Sequence, residues 1–260
     1  MAILESRTQT GMSWIKESIA LFKTAPRKWL MLALAYVGLF MMLPSVPALQ
    51  FFAFLGILMW PVFLAFAIAL YRNAELKKQQ TLSETMQTIQ PKMWQLMALG
   101  GACLLYAVLV SLVLNSDLQG LAALTQNKVK MTEPQMMAVV QKMLPLMLKM
   151  LLLSIPLLMA TWFSPMLIAF NNYSVVKAIK SSIAGSLQHI IALTAAWLLL
   201  TASVLALMMA VGIVAGIISA LVPAFGQLLI PFVLFGCLLL ATALMLAFQY
   251  VSYRDVFRAA

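Results

Sequence analysis

Residues 190–221 read IIALTAAWLLLTASVLALMMAVGIVAGIISAL, 32 residues without a single charge. A hydrocarbon core about 30 Å thick is crossed by about 20 residues of α-helix. This stretch is long enough to span it with a tilt, or with its ends outside the bilayer. Its apolar residues are continuous rather than alternating, which argues against a strand of a membrane barrel. Five more runs of this kind lie at about 29–49, 51–71, 94–114, 144–170 and 228–252. Pro44, Ser45 and Pro47 separate the first two, since two prolines so close cannot continue a helix. Pro223 and Gly226 separate the last two, and a longer polar stretch, 115–142, divides the middle pair. Pro156 and Pro165 give the fourth run a reason to kink.

The whole chain agrees with this reading. Of its 260 residues, 64% are hydrophobic and 9% charged, and mean hydropathy is +1.00. Soluble domains are about 45–50% apolar and about 25% charged. A disordered, nucleic-acid-coating or water-soluble protein is excluded, despite a net charge of +10. Cys103 and Cys237 lie inside apolar runs and read as small hydrophobes rather than a disulfide or metal ligands.

The distribution of basic residues predicts orientation. Arg7, Lys16, Lys23, Arg27, Lys28, Arg72, Lys77, Lys78, Lys92, Lys177, Lys180, Arg254 and Arg258 fall on one side, 13 of the 17. Lys128, Lys130, Lys142 and Lys149 lie in or beside segment 115–142. The positive-inside rule then places both termini in the cytoplasm. The first 28 residues are polar to amphipathic, so no cleavable signal peptide is expected.

Between the spans, three segments carry apolar stripes at helical spacing. They are Met12, Ile15, Ile19 and Phe22; Leu82, Met86, Ile89 and Met93; and Val176, Ile179, Ile183, Leu187 and Ile190. Thr81 and Glu84 have the spacing of a capping box. The expected fold is an all-α integral membrane bundle of six transmembrane helices. They form three hairpins, each preceded by an amphipathic interfacial helix. The single membrane domain, 1–260, then reads as three repeats at about 11–72, 79–171 and 174–254, the second with an outer insertion at 115–142. Pro26-Arg27-Lys28-Trp29 and Pro91-Lys92-Met93-Trp94 match 65 residues apart, proline ending the surface helix and tryptophan anchoring at the interface. The third copy has Gln188-His189 there. The insertion is expected to form an amphipathic helix starting at Thr132-Glu133-Pro134.

Ionisable groups buried in a membrane are costly and usually functional. No Asp or Glu falls within the six runs, and Lys149 can snorkel to the interface. No phosphate-binding, zinc-hydrolase or serine-nucleophile motif is present. Mild polar residues at depth are Ser111, Ser154, Thr161, Ser164, Thr194, Thr201, Ser203, Ser219 and Thr242. They serve helix packing or line a polar cavity, for which Thr161, Ser164, Asn171 and Asn172 are the candidates. Gly212, Gly216, Ala220 and Ala224 form a small-residue stripe suited to close helix approach, inside the monomer first and in a dimer second. Met136, Met143, Met147 and Met150 share one face; thioethers bind Cu(I), but a flexible apolar face is the simpler reading. His189, the only histidine, reads as an interfacial polar group, or as a pH-sensitive or ligand-contacting one.

Gly11-x-x-Trp14-Ile15, then Leu21-Phe22, Pro26 and Trp29, resembles the opening of an uncharacterised family of proteobacterial multi-pass inner-membrane proteins. Pro61 after Trp60 also fits that family's second membrane helix. The helix-then-hairpin plan is similar to the membrane portion of some bacterial glycerophosphodiester phosphodiesterases, without their soluble catalytic domain. The resemblance implies an inner-membrane location and carries over no reaction and no catalytic residue.

The resulting expectation is a non-enzymatic inner-membrane protein: an envelope accessory or assembly subunit, or a lipid-contacting one. The alternative is a transporter or channel for a weakly polar or lipid-like solute, since repeats and broken helices are common there. Expected partners are membrane lipids, a membrane protein or a second copy; no cofactor, metal or nucleic acid is expected. Lys23, Arg27, Lys28, Lys77, Lys78 and Lys92 would hold anionic headgroups on the cytoplasmic side, or set topology alone.

Overall fold

A computed structural model of the chain describes residues 2–125 and 133–257, and every regular element among them is a helix. In order they are α1 (Ala2–Thr24), α2 (Pro26–Val37), a π-helical turn (Gly38–Met42), α3 (Leu43–Ser45), a 3-10 turn (Pro47–Leu49), α4 (Phe52–Glu75) and α5 (Leu82–Ile89). A 3-10 turn (Gln90–Lys92) leads into α6 (Met93–Thr125), followed by α7 (Glu133–Trp162), α8 (Ser164–Asn171), α9 (Val175–Gln188), α10 (Ile190–Leu221) and α11 (Pro223–Val256). Six helical stretches are long and apolar enough to cross a membrane: Pro26–Ser45, Phe52–Glu75, Leu82–Ala122, Val139–Asn171, Ile190–Leu221 and Leu229–Val256. They coincide with the six expected runs.

The densest core lies at the end of the bundle where the two ends of the chain meet. Its largest buried side chains are Trp14, Trp29, Tyr71, Phe163 and Phe248. α1 lies across α10 and α11. Gly11 permits that approach, because a Cβ there would sit 2.4 Å from the Ala192 carbonyl oxygen. The Trp14 Nε1–H donates to the Asp255 carboxylate at 2.9 Å, and Arg254 pairs with both Glu17 and Glu75. Gly100 does for α6 against α4 what Gly11 does for α1, since its Cβ would meet the Leu58 carbonyl oxygen at 2.5 Å.

Several expectations change. The helix expected to start at Thr132-Glu133-Pro134 does begin at Glu133, but it runs on into the fourth span as α7, and α6 extends to Thr125. The two long arms are joined by Lys149, which pairs with Asp117 at 2.8 Å instead of reaching for headgroups alone. Thr132, Lys128, Lys130 and Arg258, and the side chains of Met136 and Ala224, lie outside the described residues.

Pro156 sits inside α7 without ending it. The fourth span breaks instead at Phe163 (φ −110°, ψ −15°), just before Pro165, which has no N–H to return to the preceding turn. Ser182 of α9 repairs the break. Its hydroxyl accepts the Phe163 N–H at 3.0 Å and donates to the Met159 carbonyl at 2.6 Å. These are the two groups that a continuous helix would have joined directly. Gln249 of α11 donates to the Trp162 carbonyl, beside the break, at 2.7 Å.

The stripes also shift. On α1 the buried face is Gly11, Trp14, Ile15, Ser18 and Leu21, while Met12 and Ile19 face outward. On α9 the face against the protein is Ala178, Ser182, Gly185 and Ser186, and Val176, Leu187 and Ile190 point away. α5 begins with the expected capping box of Thr81 and Glu84, but buries Thr85 and Ile89 while Leu82 is exposed. The two matching tryptophans part company: Trp94 is 80% exposed, whereas Trp29 is 0% exposed and stacks on Tyr71 at 3.9 Å. Trp29 is therefore a core residue rather than an interfacial anchor.

Candidate functional site

A cavity of about 480 Å³ opens between α2, α4, α7, α10 and α11. Its size falls within the ~300–1,000 Å³ usual for small-molecule sites. Aromatic walls come from Tyr36, Trp60, Trp162 and Trp197, and aliphatic ones from Leu64, Leu200, Val204 and Leu246. No Asp, Glu, Lys, Arg, His or Cys side chain lines it. Leu158, Trp197 and Leu205, at the rim, are 52%, 47% and 54% exposed and sit on helices long and apolar enough to span a bilayer. Trp197 and Leu205 lie within α10 rather than at its ends.

Polar groups in the cavity are few and partly committed. Thr161 donates to the Leu157 carbonyl at 2.7 Å, and Thr242 to that of Leu238 at 2.8 Å. Each hydroxyl oxygen keeps lone pairs for a second partner. The Tyr36 hydroxyl accepts from Trp60 Nε1–H at 3.1 Å and keeps its own proton to donate. The Gln249 carboxamide spends one N–H on Trp162. An apolar chain with one hydroxyl, ester or carbonyl oxygen matches this mixture of walls and donors. An ion would find no charge to balance it.

Of the four residues expected to line a cavity, Thr161 does. Ser164 is buried and donates to the Ala160 carbonyl of its own turn. Asn171 accepts from the Tyr253 hydroxyl, and Asn172 ends α8 in the left-handed region at φ 56°. These three lie outside the cavity: Ser164 is buried just past the break at Phe163, while Asn171 and Asn172 stand at the far end of α8, half-buried and exposed. Thr201 and Thr242, among the mild polar residues at depth, are in it. Sequence patterning does not mark Tyr36 or Trp60 as cavity residues; for Gln249 the signal is a glutamine three residues before the end of the apolar run 228–252.

Gly212 and Gly216 are exposed, and a Cβ on either would meet nothing within 4 Å. Ala220 is exposed too. Gly212, Gly216 and Ala220 are thus not used for packing inside the monomer; the glycines pressed against neighbouring backbone are Gly11 and Gly100. His189 joins α9 to α10 with its ring 6.2 Å from that of Trp14, apart from the cavity. Met143, Met147 and Met150 are exposed, and both cysteines are free and buried.

Lys23, Arg27, Lys28, Lys77 and Lys78 are exposed and Lys92 is half-buried. Lys28 sits over the Trp29 ring at 5.2 Å. Lys78 is the one of the six that lines a second, smaller cavity, beside Arg72.

Comparison with protein-family models, with curated proteins and with solved structures finds no match. Gly11, Trp14 and Trp29, which carry the resemblance at the N-terminus, are the residues that seat α1 and α2 on the core.

Proposed function

We propose that this chain is a non-enzymatic, lipid-contacting membrane protein that holds an amphiphile in the lateral cavity between α2, α4, α7, α10 and α11. The observation that carries the reading is the rim: exposed Leu158, Trp197 and Leu205 on spanning-length helices open the cavity toward lipid. Uncharged walls and a few hydroxyls select a chain-bearing molecule with one polar end. The reading includes three hairpins, each preceded by an interfacial helix, in a bacterial inner membrane with both termini cytoplasmic. The outward-facing Val176 and Leu187 of α9, with Ile190 at the start of α10 and Lys177 and Lys180 nearby, support an interfacial role for α9. The six basic residues Lys23, Arg27, Lys28, Lys77, Lys78 and Lys92 meet headgroups in this arrangement.

The test is lipid mass spectrometry on protein purified in nanodiscs, beside Thr201→Trp, which fills the cavity from its exposed wall. An amphiphile enriched over bulk lipid in the wild type and lost from a folded Thr201→Trp protein is the expected result. Equal lipid profiles for the two proteins would overturn it. Recovery of one stoichiometric protein in place of an amphiphile would favour the accessory-subunit reading, which the outward Gly212, Gly216 and Ala220 face supports.

A further inference from the structure

We propose that the small cavity between the end of α4, the turn after it and α5 binds a phosphate-bearing anion, with Arg72 and Lys78 as its cationic partners. The cavity measures about 230 Å³ and is lined by Arg72, Asn73, Lys78, Gln80, Thr88 and Phe170, among others. At about 30 Å³ per water, that is room for a phosphate and the atoms esterified to it.

Neither cation is neutralised from within. Among the described residues, neither Arg72 nor Lys78 forms an ion pair. The nearest carboxylate along α4, Glu75, is taken by Arg254 and by the Tyr250 hydroxyl. The cations are not needed to cap α4 either. The backbone N–H groups of Leu76, Lys77 and Lys78 already fill the carbonyls of Arg72, Ala74 and Asn73 at 3.0, 3.2 and 2.9 Å.

The geometry favours an oxyanion. The Arg72 guanidinium stands 5.1 Å from the Phe170 ring centre. A guanidinium held by its face keeps its N–H edge for two parallel bonds to phosphate oxygens. Lys78 is brought back beside it by the turn, whose bonds from Lys77 and Lys78 form a Schellman motif around Lys77 at φ 52°. α5 is anchored by its capping box and by the Asn73 amide donating to Thr85 Oγ1 at 3.1 Å. Both walls are therefore fixed before any ligand arrives. The phosphate could belong to a lipid headgroup or to a free anion, and the experiment separates the two.

Full-length protein is compared with Lys78→Gln, whose exposed side chain can change without unfolding the chain, with Arg72→Gln, and with Lys16→Gln as an exposed basic control outside the cavity and outside the headgroup set. Phosphatidylglycerol retention is read by native mass spectrometry from mixed phosphatidylglycerol–phosphatidylcholine nanodiscs. Stabilisation by millimolar inorganic phosphate is read by thermal unfolding in detergent. Loss of a charge-assisted contact predicts phosphatidylglycerol retention about tenfold weaker in Lys78→Gln and Arg72→Gln, and unchanged in Lys16→Gln. Unchanged lipid retention with phosphate stabilisation lost only in the two cavity variants would identify a free anion as the ligand. If both readouts stay at wild-type values in both cavity variants, or fall equally in Lys16→Gln, the proposal is overturned. Thr201→Trp leaves this site intact, so failure of the lateral-cavity reading shows separately.

Discussion

The Ser182 hydroxyl stands where a backbone hydrogen bond is missing, between Phe163 N–H and the Met159 carbonyl. Ser182 is fully buried, so no water can take over either group. Ser182→Ala is expected to lower stability by about 1–3 kcal/mol, the cost of leaving buried partners unsatisfied, measured as thermal unfolding in detergent. Ser164→Ala is the control: its hydroxyl serves only the Ala160 carbonyl of its own helix, so the loss should stay below about 1 kcal/mol. If the two variants melt alike, Ser182 is not the stitch described. The sequence shows Pro165 and hence a break nearby. It does not show which hydroxyl closes the break, because Ser182 lies on another helix and looks like any surface serine in its own segment.

At the level of elements, two stretches with the same spelling do different work. Trp29→Ala should cost about 3–5 kcal/mol, because it empties a fully buried site stacked on Tyr71. Trp94→Ala should change stability in detergent by less than about 0.5 kcal/mol, since that ring is exposed. Equal losses would restore the structural equivalence of the two motifs. Glycines divide in the same way. Gly11→Ala drives a Cβ into the Ala192 carbonyl and should cost about 1–3 kcal/mol and loosen α1 to protease. Gly212→Ala meets nothing, and should be neutral or stabilising by up to about 1 kcal/mol. A Gly212→Ala protein that remains folded but loses self-association would show that the stripe serves a second copy. Helical periodicity identified α1, α5 and α9, and the protein-facing sides of α1 and α9 lie largely beside the apolar stripes rather than on them. A stripe of large apolar side chains points to protein in water but equally to lipid at a membrane surface. The protein-facing sides of these helices are instead built from Gly, Ala, Ser and Trp.

On the scale of the whole molecule, the two ends of the chain are held together by Trp14 with Asp255 and by Arg254 with Glu17 and Glu75. Arg254→Gln removes both ion pairs and should free α1 without unfolding the spans. The check is faster tryptic cleavage within α1 at an unchanged melting temperature of the bundle; cleavage at the wild-type rate would mean that Gly11 and Trp14 hold α1 alone. The six spans were legible because a bilayer demands long, continuous apolar helices, and that demand is written locally, residue after residue. Fold class and span number followed from it, as did the absence of acidic residues from the apolar runs. Which helix touches which was not legible. Nor was the cavity that gathers Tyr36, Trp60, Thr161, Thr201 and Gln249, or the pairing of Arg72 with Lys78 around a second one. Inside an apolar solvent almost every apolar side chain is compatible with every position. Neighbours are then chosen by shape, by a missing Cβ at Gly11 or Gly100, and by a few hydrogen bonds between residues far apart in the chain. Those choices exist only once the helices have packed.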